Sequence, residues 1–292
     1  MSASRFVDCA QVARRFARAA ADYAKGDFLV REIDRRMQER LDVVTLRPTR
    51  IADLGCSRGG SLAGLTARYP EAQWIGLDLV PAMLRGITEP QPGWRRWLGL
   101  RSAPLCIAAE ATQLPLAAAS VDLVWSNLLL HWLDDPLPAL AEAQRVLAVG
   151  GLLMFSTLGP DTLGELRAAL ADGYAHTQRF IDMHDLGDML LACGFADPVM
   201  DMEVITLTYD RLDALFADLR AAGSTCAMTT RRRGLGGRQT WQAAEAAYEA
   251  MRRNGKLPAS FEVVYGHAWK AAPKQQANED RAIIRWTRQG GR

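Results

Sequence analysis

The sequence has few of the residues that build metal sites or disulfide frameworks. Only five cysteines and four histidines occur among its 292 residues. The two cysteines nearest each other, Cys193 and Cys226, are 33 residues apart (226 minus 193), so no Cys-x-x-Cys motif is present. This scarcity argues against a structural zinc site or another bound metal, and it favours a reducing compartment.

The chain also lacks a strong excess of charge and any long apolar run. Its 35 basic and 33 acidic residues give a net charge of +2, which is too balanced to indicate nucleic acid as an obligatory partner. Near the N-terminus, Arg14, Asp22 and Lys25 are among the charged residues that interrupt every apolar run. We therefore expect no signal peptide, no membrane span and a cytoplasmic location.

What is present is an alternation of helical and strand patterns. Residues 8–41 carry apolar side chains at helical spacing and predict two amphipathic helices with a break near Gly26. Short apolar runs then alternate with helices, which is typical of a parallel sheet covered by helices on both faces. We expect an α/β fold with a central, mostly parallel sheet of seven strands. The predicted strands are residues 50–54, 74–78, 105–108, 121–126, 152–157, 199–208 and 261–269.

Other segments fall outside this alternation. Residues 89–102 contain two prolines and two tryptophans and predict a surface excursion. The pair Gly150 and Gly151 is expected to end the helix at 137–147. The predicted organisation is N-terminal helices at 1–47 that form a lid, a core at 48–209 and 259–270, a helical insertion at 210–258 that completes the lid, and a polar tail at 271–292.

A glycine-rich loop follows the first predicted strand. Residues 53–60 lie at the carboxyl end of that strand and ahead of a helix, which is where open α/β sheets bind ligands. Gly55 has no Cβ to block a ligand, and Gly59 permits a tight turn into the helix. Ser57 stands where the dinucleotide pattern G-x-G-x-x-G has its second glycine, so the loop departs from that pattern.

Polar side chains follow the next three strands in the same way. Asp78 comes 23 residues after Gly55 (78 minus 55), where a carboxylate can accept the hydroxyls of a ribose. Glu110 follows the third strand and Asn127 ends the fourth. Any one acid could cap a helix or face water, but polar residues at successive strand ends favour one site for an adenosine ligand.

These motifs resemble those of class I S-adenosylmethionine-dependent methyltransferases, over about residues 50–157. The resemblance implies a Rossmann-like fold, S-adenosyl-L-methionine as cofactor and S-adenosyl-L-homocysteine as product. It implies that Asp53 and Gly55 flank the methionine moiety, that Asp78 holds the ribose, and that Glu110 faces the adenine amino group. The full set of implied cofactor-binding residues is Asp53, Gly55, Cys56, Ser57, Gly59, Asp78, Leu79, Glu110, Ala111 and Asn127.

A narrower resemblance covers nearly the whole chain. Its segments are similar to the BioC-type malonyl-acyl-carrier-protein O-methyltransferases, which implies methylation of the free malonyl carboxylate, with the acyl carrier protein as partner, in early biotin synthesis. The same segments also resemble a sister group, the mitochondrial arginine hydroxylase that helps assemble respiratory complex I, and residues 27–29 and 223–227 look closer to that group. A non-catalytic cofactor-binding protein is the third alternative. The segments of the first resemblance are residues 15–23, 126–132, 159–167 and 264–270.

The acceptor side offers only single residues as candidates. Methyl transfer to a carboxylate needs positioning and desolvation more than a base, but it does need a cation to hold the carboxylate. Arg179, Arg220 and Arg231 are candidates, although a solvated helix face is the simpler interpretation of each. Tyr23 is a candidate to close over the methionine end, and His131 to touch substrate; packing roles are the alternative for both.

A local cluster of positive charge lies in the insertion. It consists of Arg231, Arg232 and Arg233, with Arg238 beyond them, in a stretch that is poor in acids. The cluster is either a docking surface for an acidic carrier or a solvated loop.

Overall fold

A seven-stranded sheet forms the centre of the structure, a computed structural model that describes residues 5–87, 104–234 and 236–272. Its strand order is β3-β2-β1-β4-β5-β7-β6. Strand β7 runs antiparallel to both neighbours, whereas the other pairs are parallel. The predicted mostly parallel sheet is therefore confirmed. The strands are β1 (Arg50–Leu54), β2 (Gln73–Asp78), β3 (Leu105–Ala108), β4 (Val121–Asn127), β5 (Leu147–Leu158), β6 (Ala196–Tyr209) and β7 (Leu257–Trp269).

Helices precede, follow and connect these strands. No helix in the described part of the chain is both long and apolar enough to span a bilayer. Short 3₁₀ turns lie at Tyr23–Lys25, Leu41–Val43 and Leu130–Trp132. The helices are α1 (Cys9–Ala19), α2 (Phe28–Arg40), α3 (Leu62–Arg68), α4 (Pro81–Leu84), α5 (Leu137–Val146), α6 (Gly164–Ala169), α7 (Met183–Ala192), α8 (Leu212–Ala221) and α9 (Arg238–Glu249).

The central strands are mostly apolar in their middle because helices bury both faces of the sheet. Successive side chains of a strand point to opposite faces, and those of β4 divide between two core clusters. Leu123 packs in the cluster that contains Ile33 of α2. Val124 packs in the cluster that contains Leu140 of α5 and Leu190 of α7. The sheet is thus a middle layer that holds the carboxyl ends of its strands in fixed positions.

The junction between helix α5 and strand β5 differs from the sequence prediction. Helix α5 ends at Val146, and Gly150 and Gly151 lie inside β5 and not at the end of the helix. The chain stays extended there because Leu147 already pairs with Val121, and the register then shifts before Leu152 pairs with Leu123. Gly150, with φ +80°, permits that irregularity.

The insertion is also shorter and less helical than the predicted 210–258. Strand β7 already begins at Leu257, and residues 222–237 separate α8 from α9. The predicted excursion at 89–102 and most of the predicted tail at 271–292 lie outside the described residues.

The N-terminal segment packs directly against the insertion. The Asp8 amide donates to the carbonyl of Ala227 at 2.9 Å, and the Thr229 amide donates to that of Phe6 at 2.8 Å. At Gly26 the two backbones are so close that an added Cβ would lie 2.8 Å from the amide nitrogen of Ala222. These contacts join two segments that are about 200 residues apart in sequence.

Candidate functional site

A cavity of about 610 Å³ opens at the carboxyl ends of the parallel strands. The strand-end residues Asp53, Asp78 and Asn127 line it, as do residues of the N-terminal segment and residues 224–226. Nine of the ten residues implied to bind cofactor lie on its wall. The exception is Gly59, whose amide donates to the Cys56 carbonyl at 2.8 Å and which shapes the turn.

The glycine-rich loop is held by the neighbouring strand. The amides of Gly55 and Cys56 both donate to the Leu77 carbonyl, at 2.8 and 3.1 Å. Gly55 has φ +69°, and Ser57 has φ +47° although it is not a glycine. The Ser57 amide donates to Asp78 Oδ2 at 2.9 Å. That bond offsets the strain of a left-handed serine, so the departure from the glycine pattern leaves the turn intact.

Asp78 is buried at the end of β2 and is 8% exposed. Its Oδ1 accepts the Val80 amide at 2.8 Å and its Oδ2 accepts the Ser57 amide. Burial raises the pKa of Asp78, while both amides favour its ionised form. Each carboxylate oxygen can accept more than one hydrogen bond, so Asp78 can still receive hydroxyls from the cavity.

Beside Asp78 the cavity wall changes to apolar. Leu79 is 41% exposed although it is a large apolar residue, and both Leu79 and Ala111 line the cavity. Glu110 is exposed at the same end. An open apolar surface with one acceptor at its rim fits a flat heteroaromatic ring that carries an amino group.

Two buried carboxylates lie beneath the loop, and one of them is absent from the sequence predictions. Asp53 is 1% exposed, and Asp34 of α2 is 6% exposed. Both line the cavity. Asp53 accepts the indole N–H of Trp74 at 3.3 Å, and Asp34 accepts that of Trp125 at 3.0 Å. Among the described residues, neither forms an ion pair with a cationic side chain.

This pair is electrostatically unfavourable without a cation. Burial raises the pKa of Asp53 well above its ordinary value of 3.8, and the charge of Asp34 raises it further. Burial also raises the pKa of Asp34. A positively charged ligand at this end of the cavity would stabilise both ionised carboxylates. The residues therefore fit a cofactor that carries a sulfonium and an ammonium group.

Asn127 is fixed by the protein itself. Its Nδ2 donates to the Val30 carbonyl at 2.9 Å, and its Oδ1 accepts the Ser156 hydroxyl at 2.7 Å. Asn127 thereby connects α2 to the end of β4 by a hydrogen bond. Asp34, which lies on the same helix, lines the cavity near the loop.

The far end of the cavity is lined by rings. His131 is 5% exposed, and its Nδ1 lies 3.2 Å from the Thr157 hydroxyl. Its ring packs against Trp132 and Phe180, with centroids 5.1 and 5.9 Å away. Tyr23 is also buried at the cavity, and burial raises its pKa to about 12 while the Ser57 side chain lowers it. This end is therefore largely apolar, with a neutral phenol at its border.

His131 is neutral because it is buried. Burial lowers its pKa from 6.5 to about 3. Only the unfolded state takes up this proton between those values, so we expect the free energy of unfolding to fall as the pH is lowered from 6.5 toward 3. Urea denaturation at several pH values should show a shallower decline in His131→Gln. His184→Gln, at a side chain that is 84% exposed, is the control. Folded-state NMR signals of His131 that titrate near 6.5 would contradict this.

The three arginines considered for the substrate carboxylate do not line this cavity. Arg231 donates to Asp8 at 3.1 Å and to the Met228 carbonyl at 2.8 Å. Arg179 stacks over the Phe6 ring at 4.5 Å, and Arg220 is exposed on α8. These arginines were candidates because of their helical or basic sequence context, but in the folded chain none of the three side chains lines the cavity.

The arginine cluster of the insertion is only partly free. Arg231 is paired with Asp8, and Arg232 lies 3.4 Å from Asp172. Arg233 and Arg238 are exposed. Any docking of a protein partner through this cluster would therefore depend mainly on Arg233 and Arg238.

No group of three or more histidine, cysteine, aspartate or glutamate side chains within residues 5–87, 104–234 and 236–272 is placed to hold a metal ion.

The chain is similar in sequence to known methyltransferases. Residues 52–155 match a family model described as a methyltransferase domain. The chain is 50% identical over 289 residues to a malonyl-(acyl-carrier protein) O-methyltransferase from Laribacter hongkongensis, with 97% of each chain covered. It is 49% identical over 267 residues to the protein of that name from Methylovorus sp., with 90% of each covered.

Solved structures share the fold at much lower identity. The YcgJ protein from Bacillus subtilis matches with a TM-score of 0.56 and 15% identity, over 82% of this chain and 100% of that one. The cyclase SpnF matches with a TM-score of 0.51 and 20% identity, over 82% of each chain. Likeness at this level shows the fold alone.

The fold, the cavity at the strand ends and the methyltransferase domain define a class I S-adenosylmethionine-dependent methyltransferase, with S-adenosylmethionine as its cofactor. Since the identity to its relatives extends over nearly the whole chain, the protein belongs to the malonyl-(acyl-carrier protein) O-methyltransferase family. The family resemblance drawn from the sequence is thereby confirmed.

Proposed function

We propose that this enzyme, acting in the cytoplasm, transfers a methyl group to the free carboxylate of malonyl-acyl carrier protein in early biotin synthesis. The proposal rests on the parts of the chain over which it is identical to its relatives. The methyltransferase domain ends at residue 155, but the acceptor end of the cavity is built from residues outside it, including Phe16, Phe180 and Cys226. The relatives of that name match across those segments as well.

In this proposal the cofactor lies along the carboxyl ends of β1, β2 and β4. Asp78 accepts the ribose hydroxyls, Glu110 faces the adenine amino group, and Asp53 lies at the methionine end. Asp34 acts with Asp53 there, because both are buried at the cavity and lack a cationic partner. The bound cofactor supplies an electrophilic methyl on a cationic sulfur, and its transfer to a carboxylate oxygen gives a neutral ester and a neutral thioether.

The acceptor end excludes water and does not compete for the methyl group. A malonyl carboxylate is already ionised at neutral pH, so no base has to remove a proton. Trp132 and Phe180 supply apolar surface that strips water from the carboxylate. His131 is held by Thr157 and enclosed by these rings, which keeps its imidazole in place.

The test is incubation with labelled cofactor and malonyl-acyl carrier protein, followed by mass measurement of the carrier. We expect the carrier to gain one methyl group as an ester that mild base removes, and acetyl-acyl carrier protein to gain none. Oxygen added to an arginine of a partner protein would instead support the hydroxylase alternative. Cofactor binding without turnover of either would support a non-catalytic role.

We also propose that the N-terminal helices and the insertion form a lid over the cavity. The backbones of these two segments are in close contact at Gly26. Gly26→Ala should therefore force them apart, which should lower the free energy of unfolding by about 1–3 kcal/mol and weaken cofactor binding. Hydrogen exchange should show less cofactor-induced protection of α1 and α8 than in wild type. Gly234→Ala, where an added Cβ meets no atom within 4 Å, is the control. Equal protection in wild type and Gly26→Ala would refute the lid.

A further inference from the structure

Three chain segments that are distant in sequence lie side by side at the acceptor end of the cavity, with part of the insertion in the middle. On one side of it, the Thr229 amide donates to the Phe6 carbonyl at 2.8 Å. On the other side, the Ala175 amide donates to the Thr230 carbonyl at 3.3 Å. These hydrogen bonds make the three segments one continuous surface. The ribbon surface, as we call it, consists of residues 5–8, 172–179 and 226–233.

The ribbon surface borders the main cavity. Arg5, His176 and Cys226, one residue from each segment, line that cavity. A smaller cavity of about 330 Å³ is lined by Arg179 and also by residues 176–178. Residues 176–178 line the main cavity as well, so they separate the two. A molecule bound on the ribbon surface is therefore next to the acceptor end of the main cavity.

Two aromatic rings stay exposed on the ribbon surface, each with an arginine stacked on it. Phe6 is 46% exposed and Tyr174 is 48% exposed. The guanidinium of Arg179 lies over the Phe6 ring, 4.5 Å from its centroid. That of Arg232 lies over the Tyr174 ring at 5.2 Å. Aromatic residues and arginine are enriched in protein interfaces and among the residues that contribute most to binding, so this composition favours a docking surface.

The ribbon surface is basic although the chain as a whole is nearly neutral. It carries five arginines and two aspartates, a net charge of +3 with histidine taken as neutral (5 minus 2), against +2 for the whole chain. Both aspartates are already paired with arginines. A further acid, Asp134, lies at the edge and accepts the Val7 amide at 2.8 Å, and the surface stays basic when it is included. The arginines of this surface that form no ion pair within the described part of the chain are Arg5, Arg179 and Arg233.

We propose that the ribbon surface is the docking site of the acyl carrier protein. This inference rests on the proposed function, in which the carrier bears the methyl acceptor. The acyl carrier protein has an acidic surface, so its charge complements that of the ribbon surface. Its acyl group is at the end of a flexible arm, so the body of the carrier has to dock beside the cavity and not inside it. The site joins Arg233 of the insertion to Arg5 and Arg179, which come from the other two segments.

The arginines and the rings of this surface contribute to docking in different ways. Unpaired arginines accelerate the encounter with an acidic partner, and this effect weakens as salt screens exposed charges. The Tyr174 ring acts only on contact, by burying apolar area, and its effect depends little on salt. The two contributions can therefore be measured separately.

The sharpest variant is Arg179→Glu, which reverses an unpaired charge. Values of kcat/KM are measured with the full chain for malonyl-acyl carrier protein and for malonyl-pantetheine, a small thioester that offers the same carboxylate without the carrier body. For the carrier, we expect Arg179→Glu to lower kcat/KM at least about tenfold at low salt. The loss should shrink as salt is raised. For malonyl-pantetheine, kcat/KM should stay at the wild-type value.

Tyr174→Ser tests the contribution of the ring. It should raise KM for the carrier at every salt concentration and leave malonyl-pantetheine unaffected. Arg47→Glu is the matched control, because it reverses the charge of an exposed arginine just before the amino end of β1. It should use both acceptors as wild type does. Affinity for S-adenosylhomocysteine should be unchanged in all three variants, which verifies folding.

The outcomes separate the docking site from the proposed function. A wild type that does not methylate malonyl-acyl carrier protein would contradict the proposed function. If wild type methylates the carrier and both ribbon variants retain its kcat/KM, the docking site is overturned and the proposed function stands. An equal loss with both acceptors would assign these residues to the cavity. Loss of self-association in sedimentation, with carrier methylation unchanged, would assign the surface to a second copy of the chain; either result overturns the proposal.

Discussion

Replacement of Asp78 by alanine is expected to lower the affinity for S-adenosylmethionine at least about a hundredfold, because two hydrogen bonds to a charged group are each worth about 1.5–3 kcal/mol. The loss has a second source in the structure. Asp78 also accepts the Ser57 and Val80 amides, so alanine frees the left-handed Ser57 and loosens the cofactor loop. Calorimetric titration of the variant with cofactor measures the sum of both effects.

Asp122 provides the matched control for this prediction. Its Oδ2 accepts the amides of Thr49 and Arg50, at 2.7 and 3.1 Å, so it fastens backbone as Asp78 does. It lies at the amino end of β4, away from the cavity. Asp122→Ala should lower stability and leave cofactor affinity unchanged. Wild-type affinity in folded Asp78→Ala, or an equal loss in both variants, would remove Asp78 from the proposed ribose site.

The fold was predictable because helices cover both faces of the central strands. Burial on both faces makes the middle residues of β1, β2 and β4 mostly apolar, and that pattern is local in sequence. Gly150 and Gly151 misled the prediction because glycine ends helices and also permits irregular strands. Whether the glycines end a helix or lie in an irregular strand is decided by the pairing of Leu147 with β4. That pairing is a tertiary contact, so no local sequence pattern predicts it.

That the polar residues at the strand ends share one cavity could be predicted from the sequence for a related reason. Strand order places the ends of β1, β2 and β4 side by side, so polar residues that end successive strands converge. Asp34 was not found because α2 reaches the loop only through tertiary packing. Its one local signal is a carboxylate beside the core residues Ile33 and Met37, where an apolar residue is the ordinary choice.

The acceptor end was the least predictable part. Arginines are common on exposed helix faces, so their number in the sequence does not show which one faces a cavity. Arg231 is taken up by Asp8, which is 223 residues away in sequence.

The second large effect is expected at Asp34 and Asp53, whose buried charges oppose each other until a cation binds. Since their pKa values are raised above 3.8, the native ligand-free protein holds protons that the unfolded chain has released. Its stability should therefore fall as the pH rises from 3.8 through the raised values. A cationic cofactor favours the ionised forms, so binding should release protons, and affinity should rise with pH over the same window.

The double variant Asp34→Asn and Asp53→Asn separates these effects. Without cofactor, the stability of the double variant should depend less on pH than that of wild type, because the two groups that hold protons in the folded state are removed. Its affinity for S-adenosylmethionine should fall at least about a hundredfold, because two charged contacts are lost. Urea denaturation and calorimetry in two buffers of different ionisation enthalpy measure stability, affinity and proton release. Asp135→Asn, at an exposed carboxylate on the same cavity, should change little. A double variant that is less stable and binds cofactor normally would show that the pair is structural.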